Sequence, residues 1–319
     1  MNLKAILENV KTVGITGHVR PDGDCTGSTL ALFNYIKTNF KNVEPFLFLE
    51  YTDPAFDYLH GINEIKHEPV KGAEFDVFFV LDCATIDRIK PFAEMYETSK
   101  KKVCIDHHVS NAGSFADVNE IQPEASSTCE VLYGLLEEDK ITKDVAECLY
   151  TGIIHDTGVF KYECTSDKTL SIAGKLINYG FDFTSIIDNS FYARSFEASK
   201  ALGIALSKSV MFDEGFGIYS ILTPEDVESV KAKPSDLGGI VEQLRLTGGV
   251  EIAVFIYPGD GAKKVSLRSK KMIDVSRLAE SYGGGGHVRA AGFSSFKGYD
   301  EILESVFKYV KDEKEKADV

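Results

Sequence analysis

The sequence predicts an α/β protein: a mostly parallel sheet flanked by helices, joined to a smaller α+β domain. Three observations predict it. Short apolar runs alternate with segments of helical period through the first half of the chain. Those runs are continuously rather than alternately apolar, as in "VFFV", which suits parallel strands covered on both faces. Beyond about residue 196 the pattern changes to a strand pair that reads as a hairpin, followed by a terminal amphipathic helix. With 319 residues, two domains are the default, and the expected division is 1–190 and 197–319 with a linker at about 189–196.

Taken in order, "TVGIT" (12–16) is a strand and Thr26 to Asn39 carry helical periodicity, with the small Gly27 and Ser28 expected to let that helix approach the sheet closely. "EPFLFLE" (44–50), "FDVFFVLD" (75–82) and "KKVCID" (101–106) are the next strands. Helices follow at about 127–138, 143–154 and 168–178, the last closed by Gly180. After polar and helical material comes the strand "GFGIYSIL" (215–222), then a helix beginning beyond Thr223, where Pro224 suits the first helical position. "EIAVFIYPG" (251–259) against "KKVSLRSK" (263–270) is the hairpin, and "YDEILESVFKYVKDE" (299–313) the terminal helix.

Composition is that of a globular protein, 44% apolar and 26% charged, with no apolar stretch of the roughly 18–20 residues a membrane span requires. The N-terminus lacks a signal peptide's apolar block, so a cytoplasmic protein with no membrane partner is expected. A formal charge of −14 argues against gripping long duplex through a broad basic face. It does not argue against a small anionic substrate, because divalent cations reverse the local charge of a carboxylate-rich site. The six cysteines, at 25, 83, 104, 129, 148 and 164, contain no CxxC pair and are expected to be buried thiols.

The informative feature is where acidic residues and histidines fall. "GHVRPDGDCTGS" (17–28) directly follows the first strand, Asp82 ends the third, and Asp106 ends the fourth, with His107 and His108 immediately after. The carboxyl edge of an open parallel sheet is where ligands bind. His18, Asp22 and Asp24 supply one nitrogen and two carboxylates, and Pro21 and Gly23 favour a turned backbone there. Adding Asp82, His107 and Asp156 gives six ligands, a set for manganese, iron or zinc with magnesium tolerated, enough for two ions about 3.5–4 Å apart with one shared carboxylate. Singly, each has another explanation: Asp22 and Asp24 suit an Asx turn, Asp82 a helix cap, Asp156 a helix end. Five of the seven histidines lie within these segments and the glycine-rich one below, which makes independent structural explanations unattractive.

"GHVRPDGDCTGS", "VLDCA", "IDHHVS" and "GIIHDTG", in this order, resemble the motifs of the DHH phosphoesterase superfamily. "GGGGHVRAAG" (283–292) resembles the signature of the accompanying DHHA1 domain. The match spans nearly the whole chain and is most similar to the subgroup of nanoRNases and 3'-phosphoadenosine 5'-phosphate (pAp) phosphatases. The resemblance implies two divalent cations, manganese first, magnesium or cobalt as alternatives. It implies that His18, Asp22 and Asp82 hold one, that Asp24, Asp82, His107 and Asp156 hold the other, and that Asp82 bridges. It further implies that His108 faces the substrate phosphate or leaving group, with Asp106 orienting the histidines. Gly284, Gly285, Gly286, His287 and Arg289, together with Arg268, would bind the substrate across a cleft from the metals.

The expected activity is hydrolysis of short oligonucleotides, about two to five residues long, to mononucleotides, removal of the 3'-phosphate of pAp, or both. The expected partners are nucleotides and short single-stranded RNA or DNA, with a homodimer implied by the resemblance alone. Alternatives in the same class are hydrolysis of linear or cyclic dinucleotides (pApA, c-di-AMP) and a RecJ-like single-strand exonuclease. Family II pyrophosphatases are disfavoured by the "GGGGH" run. A non-catalytic nucleotide sensor is disfavoured by the intact ligand set.

Overall fold

The computed structural model describes residues 1–113, 115–259 and 261–317. Two compact units comprise residues 1–193 and 194–319.

The first unit is built on a wholly parallel five-stranded sheet of β1 (Thr12–Thr16), β2 (Glu44–Phe48), β3 (Val77–Leu81), β4 (Lys102–Asp106) and β5 (Val118–Ile121), in the order β2-β1-β3-β4-β5. Strand order reverses at β1, which opens a crevice at the carboxyl ends of β1 and β3. Strand β3 is buried along its whole length, as its unbroken apolar run requires; full burial of each of Phe78 and Phe79 contributes about 1.5–3 kcal/mol. Strand β5 was not expected from the sequence. "VNEI" has no apolar run and is half-buried throughout, so pairing with β4 alone makes it a strand.

Helix α1 (Gly23–Asn39) begins three residues earlier than its periodicity suggests, because the Asp22 carboxylate accepts the Cys25 N–H at 3.1 Å and caps it. Every residue from Gly23 to Ile36 is buried, the pattern of a helix covered on all sides. The expected role of Gly27 needs correction. A Cβ there would lie 2.5 Å from the Cys148 carbonyl oxygen and 3.0 Å from the Gly152 nitrogen, so the close approach is to α3 (Lys143–Asp156), not to the sheet. Before α3 stands a short helix, α2 (Thr128–Tyr133), which stops at Gly134 instead of running on to 138. On the opposite face of the sheet Phe48, Phe75, Phe78, Phe92 and Tyr96 form a separate aromatic cluster.

The second unit carries a mixed six-stranded sheet of β6 (Val210–Phe212), β7 (Gly217–Ile221), β8 (Ile252–Pro258), β9 (Lys263–Ser269), β10 (Gly285–His287) and β11 (Ala290–Ser295), in the order β10-β11-β9-β8-β7-β6. The expected hairpin is β8 with β9, antiparallel, with Val254 opposite Leu267. The terminal helix runs from Tyr299 to Ala317. The glycine run reads as a loop by propensity, yet Gly285, Gly286 and His287 pair with Gly292, Ala291 and Ala290 as an edge strand. Gly284 and Gly286 have packing reasons: their Cβ atoms would meet the Gly292 and Ala290 carbonyl oxygens at 2.3 and 2.4 Å. A Cβ on Gly285 would meet open space.

The α1–α3 contact gives a direct test. Gly27→Ala pushes a methyl into a backbone carbonyl, and we expect it to lower unfolding free energy by about 1–3 kcal/mol, measured by chemical denaturation. An unchanged midpoint would show that the two helices separate without cost.

Candidate metal centre

Each candidate ligand reaches the carboxyl edge of the first sheet by its own local route. His18 follows β1 by two residues and is buried. Asp82 follows β3 in the left-handed region, φ 56°, a conformation that costs about 1–3 kcal/mol outside glycine and marks constrained sites. Its amide still donates to the Ile105 carbonyl at 3.0 Å, which keeps it attached to the sheet while the chain turns. His107 and His108 leave β4, and Asp156 is the last residue of α3.

Asp82 joins these elements. One of its oxygens lies 3.4 Å from His18 Nε2; the other lies 3.7 Å from His107 Nε2 and 3.6 Å from His108 Nδ1. His107 Nε2 is 3.1 Å from Asp156 Oδ2. Donor atoms of Asp24, His107 and Asp156 lie within 4.8 Å of one another, as do those of Asp82, His107 and His108, and those of His18, Cys25 and Asp82. Asp22 is outside these three groupings, with Oδ2 3.6 Å from His18 Nε2 and Oδ1 engaged in the α1 cap. Cys25 stands in one of them, but burial pushes its thiol well above the ordinary range, so it is a poor ligand in a set otherwise made of hard oxygen and imidazole nitrogen.

Several residues that sequence reasoning missed hold this arrangement. The fully buried Asp24 accepts the backbone N–H groups of Thr128 at 2.6 Å and Cys129 at 3.0 Å, and the Thr128 hydroxyl lies 3.1 Å from Asp82 Oδ1. The first turn of α2 therefore fixes two carboxylates at once. Ser127 before an apolar run was a legible helix-cap signal, but nothing local shows what the following amides bind. Asn111 donates to Asp106 Oδ2 at 2.7 Å, and Asp106 Oδ1 is 2.8 Å from His108 Nδ1. Arg88 Nη2 lies 2.9 Å from His18 Nδ1. No signal in the sequence pointed to Arg88.

The electrostatics are those of crowded negative charge. Burial and then repulsion from Asp156 and Asp82 push Asp24 well above the carboxylate range, and burial likewise raises Asp156. Burial opposes charge on His18, but Asp22 and Asp82 hold its imidazole up at about 10. His107 is raised in the same way against its own burial, chiefly by Asp156. His108 is raised by its hydrogen bond to Asp106. In contrast, burial pulls His155 down to about 4; it packs on Phe56 and Phe191 with Nε2 3.1 Å from Ser190 Oγ, apart from the ligand groupings. Two like charges ~4 Å apart repel by about 4 kcal/mol at an effective dielectric of 20, so gathering these carboxylates is costly unless cations compensate. The hard O/N donor set fits divalent ions of the manganese or magnesium kind.

In the second unit the register places His287, Ala290 and Arg268 in one row across β10, β11 and β9. His287 and Arg268 thus share a face, about 10 Å apart at two strand spacings. Along β9, Val265, Leu267 and Ser269 are buried while Lys264, Ser266 and Arg268 alternate with them. Arg268 Nη1 donates to the Leu267 carbonyl, and the exposed Arg289 donates Nη1 to the Ile273 carbonyl at 2.8 Å.

A parallel sheet with carboxylates and imidazoles gathered at its switch point, followed by a mixed sheet with a glycine-rich edge, defines a class. Residues 12–153 match the DHH family N-terminal domain and residues 216–312 the DHHA1 domain; the chain belongs to this family of phosphoesterases. It is 30% identical over 295 residues to the bifunctional oligoribonuclease and PAP phosphatase NrnA of Bacillus subtilis, covering 91% of each chain. To the protein of the same description from Thermus thermophilus it is 28% identical over 307 residues, covering 94% of this chain and 89% of that one. The crystal structure of an exopolyphosphatase-related protein from Bacteroides fragilis shares the fold, with a TM-score of 0.83 at 24% identity over 97% of this chain and 94% of that one. No helix among the described residues is long and apolar enough to cross a membrane.

Metal binding must displace a proton from His107 and, below about pH 6, from Asp156, which burial raises to about 6 in the metal-free fold. The sign follows: Asp156 supports the metal-free fold while protonated and withdraws that support as pH rises through its raised value, where a cation takes over. The rise in melting temperature on adding manganese should therefore be larger at about pH 8 than at about pH 5.5. Thermal scans of chelator-treated protein check this; a stabilisation independent of pH would contradict it.

Proposed function

We propose that this chain hydrolyses short oligonucleotides to mononucleotides and removes the 3'-phosphate of pAp. The observation that carries the reading is Asp82 standing between His18 on one side and His107 on the other, within a chain 30% identical to a protein described as acting on both substrates. His18, Asp22 and Asp82 would hold one cation and Asp24, Asp82, His107 and Asp156 the second, with manganese the first candidate. Bound there, the ions would supply Lewis-acid charge to the phosphoryl oxygens and lower the pKa of a coordinated water.

The chain's own residues do the rest. Asp106, fully buried and fixed by Asn111, accepts the Nδ1 N–H of His108 in a 2.8 Å hydrogen bond and orients the ring. That leaves His108 Nε2, on a side chain about one-third exposed, to meet the substrate. The same carboxylate favours the protonated ring and raises the imidazole above its ordinary range, which suits His108 to carry a proton to the leaving oxygen. Arg268, His287 and Arg289 supply charge-assisted donors for the terminal phosphate, and the unobstructed backbone at Gly285 allows close approach of an anion. A grip on the terminal phosphate directs cleavage to a chain end.

Three variants separate these roles. Asp82→Ala should lose bound manganese and nearly all turnover. Asp106→Asn should keep the metals and lower kcat by about 10- to 100-fold. Arg289→Ala should mainly raise KM with both metals retained. Metal content by elemental analysis and steady-state kinetics distinguish them; full activity in Asp82→Ala would sink the two-cation reading.

The substrate itself is tested by offering manganese-restored protein pAp, oligonucleotides of about two to five residues, longer single strands, pApA, cyclic di-AMP and pyrophosphate. Release of mononucleotides from the short chains, with little action on long ones, is the expected outcome. Preferential turnover of pApA or the cyclic dinucleotide would replace the proposed substrate.

A further inference from the structure

We infer that Arg88 is the phosphate-binding cation of the first unit, poised beside the metal centre to take a non-bridging oxygen of the substrate. The inference rests on reading this centre as a phosphate-ester site, and extends it to a residue outside the ligand set. Arg88 lies six positions beyond Asp82, on the segment that leaves the carboxyl end of β3. Its backbone is tied down at both polar groups: its N–H donates to the Thr85 carbonyl at 3.1 Å, and its carbonyl accepts the Val19 N–H at 2.8 Å. That second bond joins it to the loop carrying His18, so the side chain is held at the centre and not on a free loop.

Hydrogen-bond accounting shows that the guanidinium is under-used. Its one side-chain partner among the described residues is His18 Nδ1, at 2.9 Å. That nitrogen is also 2.9 Å from the Val19 carbonyl, and a ring nitrogen cannot accept from one group while donating to the other. For His18 Nε2 to offer its lone pair to a cation, the ring proton must sit on Nδ1, where the Val19 carbonyl accepts it. Arg88 then has no acceptor there. No carboxylate lies within ion-pair distance of it among the described residues, although Asp22 and Asp82 lie 3.6 and 3.4 Å from the other nitrogen of the same ring.

A half-buried guanidinium at an anionic centre, without an ion pair, is matched to an incoming anion. A planar fork of N–H donors suits two oxygens of one phosphate, a geometry lysine cannot reproduce. Recognition by Arg88 would add to that of the cations and would be independent of Arg268, His287 and Arg289.

The test uses the full chain and inorganic phosphate as probe. Manganese affinity, and the affinity of the manganese-loaded protein for phosphate, are both measured by titration calorimetry, for the wild type, Arg88→Gln and Arg88→Lys, with melting temperatures confirming that each variant folds. Arg88→Gln should weaken phosphate binding by about tenfold or more, with manganese affinity within about threefold of the wild type, and Arg88→Lys should recover only part of the loss. Unchanged phosphate binding in Arg88→Gln would overturn the inference. So would a parallel fall in manganese affinity, because Arg88 would then act by orienting His18. A wild type that binds phosphate at the manganese-loaded centre but hydrolyses none of the esters would instead defeat the proposed function, leaving the role of Arg88 to the phosphate measurements.

Discussion

Negative charge gathered at the carboxyl edge of one sheet is the constraint around which the first unit is organised. Asp22 and Asp24, Asp82, and Asp156 come from three places in the chain, and Asp82 and Asp24 are withdrawn from solvent. Their mutual repulsion is tolerated because the fold surrounds them with specific compensation. Imidazoles stand between them, the amides opening a short helix donate to Asp24, and a hydroxyl and a left-handed turn hold Asp82. Divalent cations would complete this compensation, and metal affinity and folding stability would then be linked in this unit.

The packing behind the centre serves the same end. Gly23 leaves room for the His155 ring, and Gly152 leaves room for Cys129 and Asp24, whose atoms would lie within 2.6 Å of any added Cβ. Helices α1 and α3 meet through glycine and backbone. This close packing behind the centre limits the drift of the carboxylates. On the far face of the sheet, by contrast, large aromatic rings interlock. Both faces of the sheet bury apolar side chains, and the close glycine contacts lie on the face that α1 and α3 cover.

The second unit follows a different logic. Its glycines do two jobs that composition does not distinguish. Gly284 and Gly286 let an edge strand lie against β11, while Gly285 leaves backbone open. Register then sets an imidazole and a guanidinium in one row.

Much of this was legible in the sequence because strand ends are local events. An apolar run that stops at a histidine or aspartate announces both the strand and the edge it reaches, and β1, β3 and β4 with His18, Asp82 and His107 were found that way. The sequence by itself determined the fold class, the carboxylate and imidazole residues available as donors, and the family. Strand β5 escaped because a half-buried edge strand has no apolar run, and the strand at 285–287 escaped because glycine has no strand propensity. Only the tertiary structure decided that Gly27 meets a helix, that the amides at 128 and 129 serve Asp24, and that Arg88 reaches His18. The physical reason is the same in each case: these are contacts between segments 70 to more than 100 residues apart, made by ordinary side chains and backbone whose partners exist only once the sheet has brought them together.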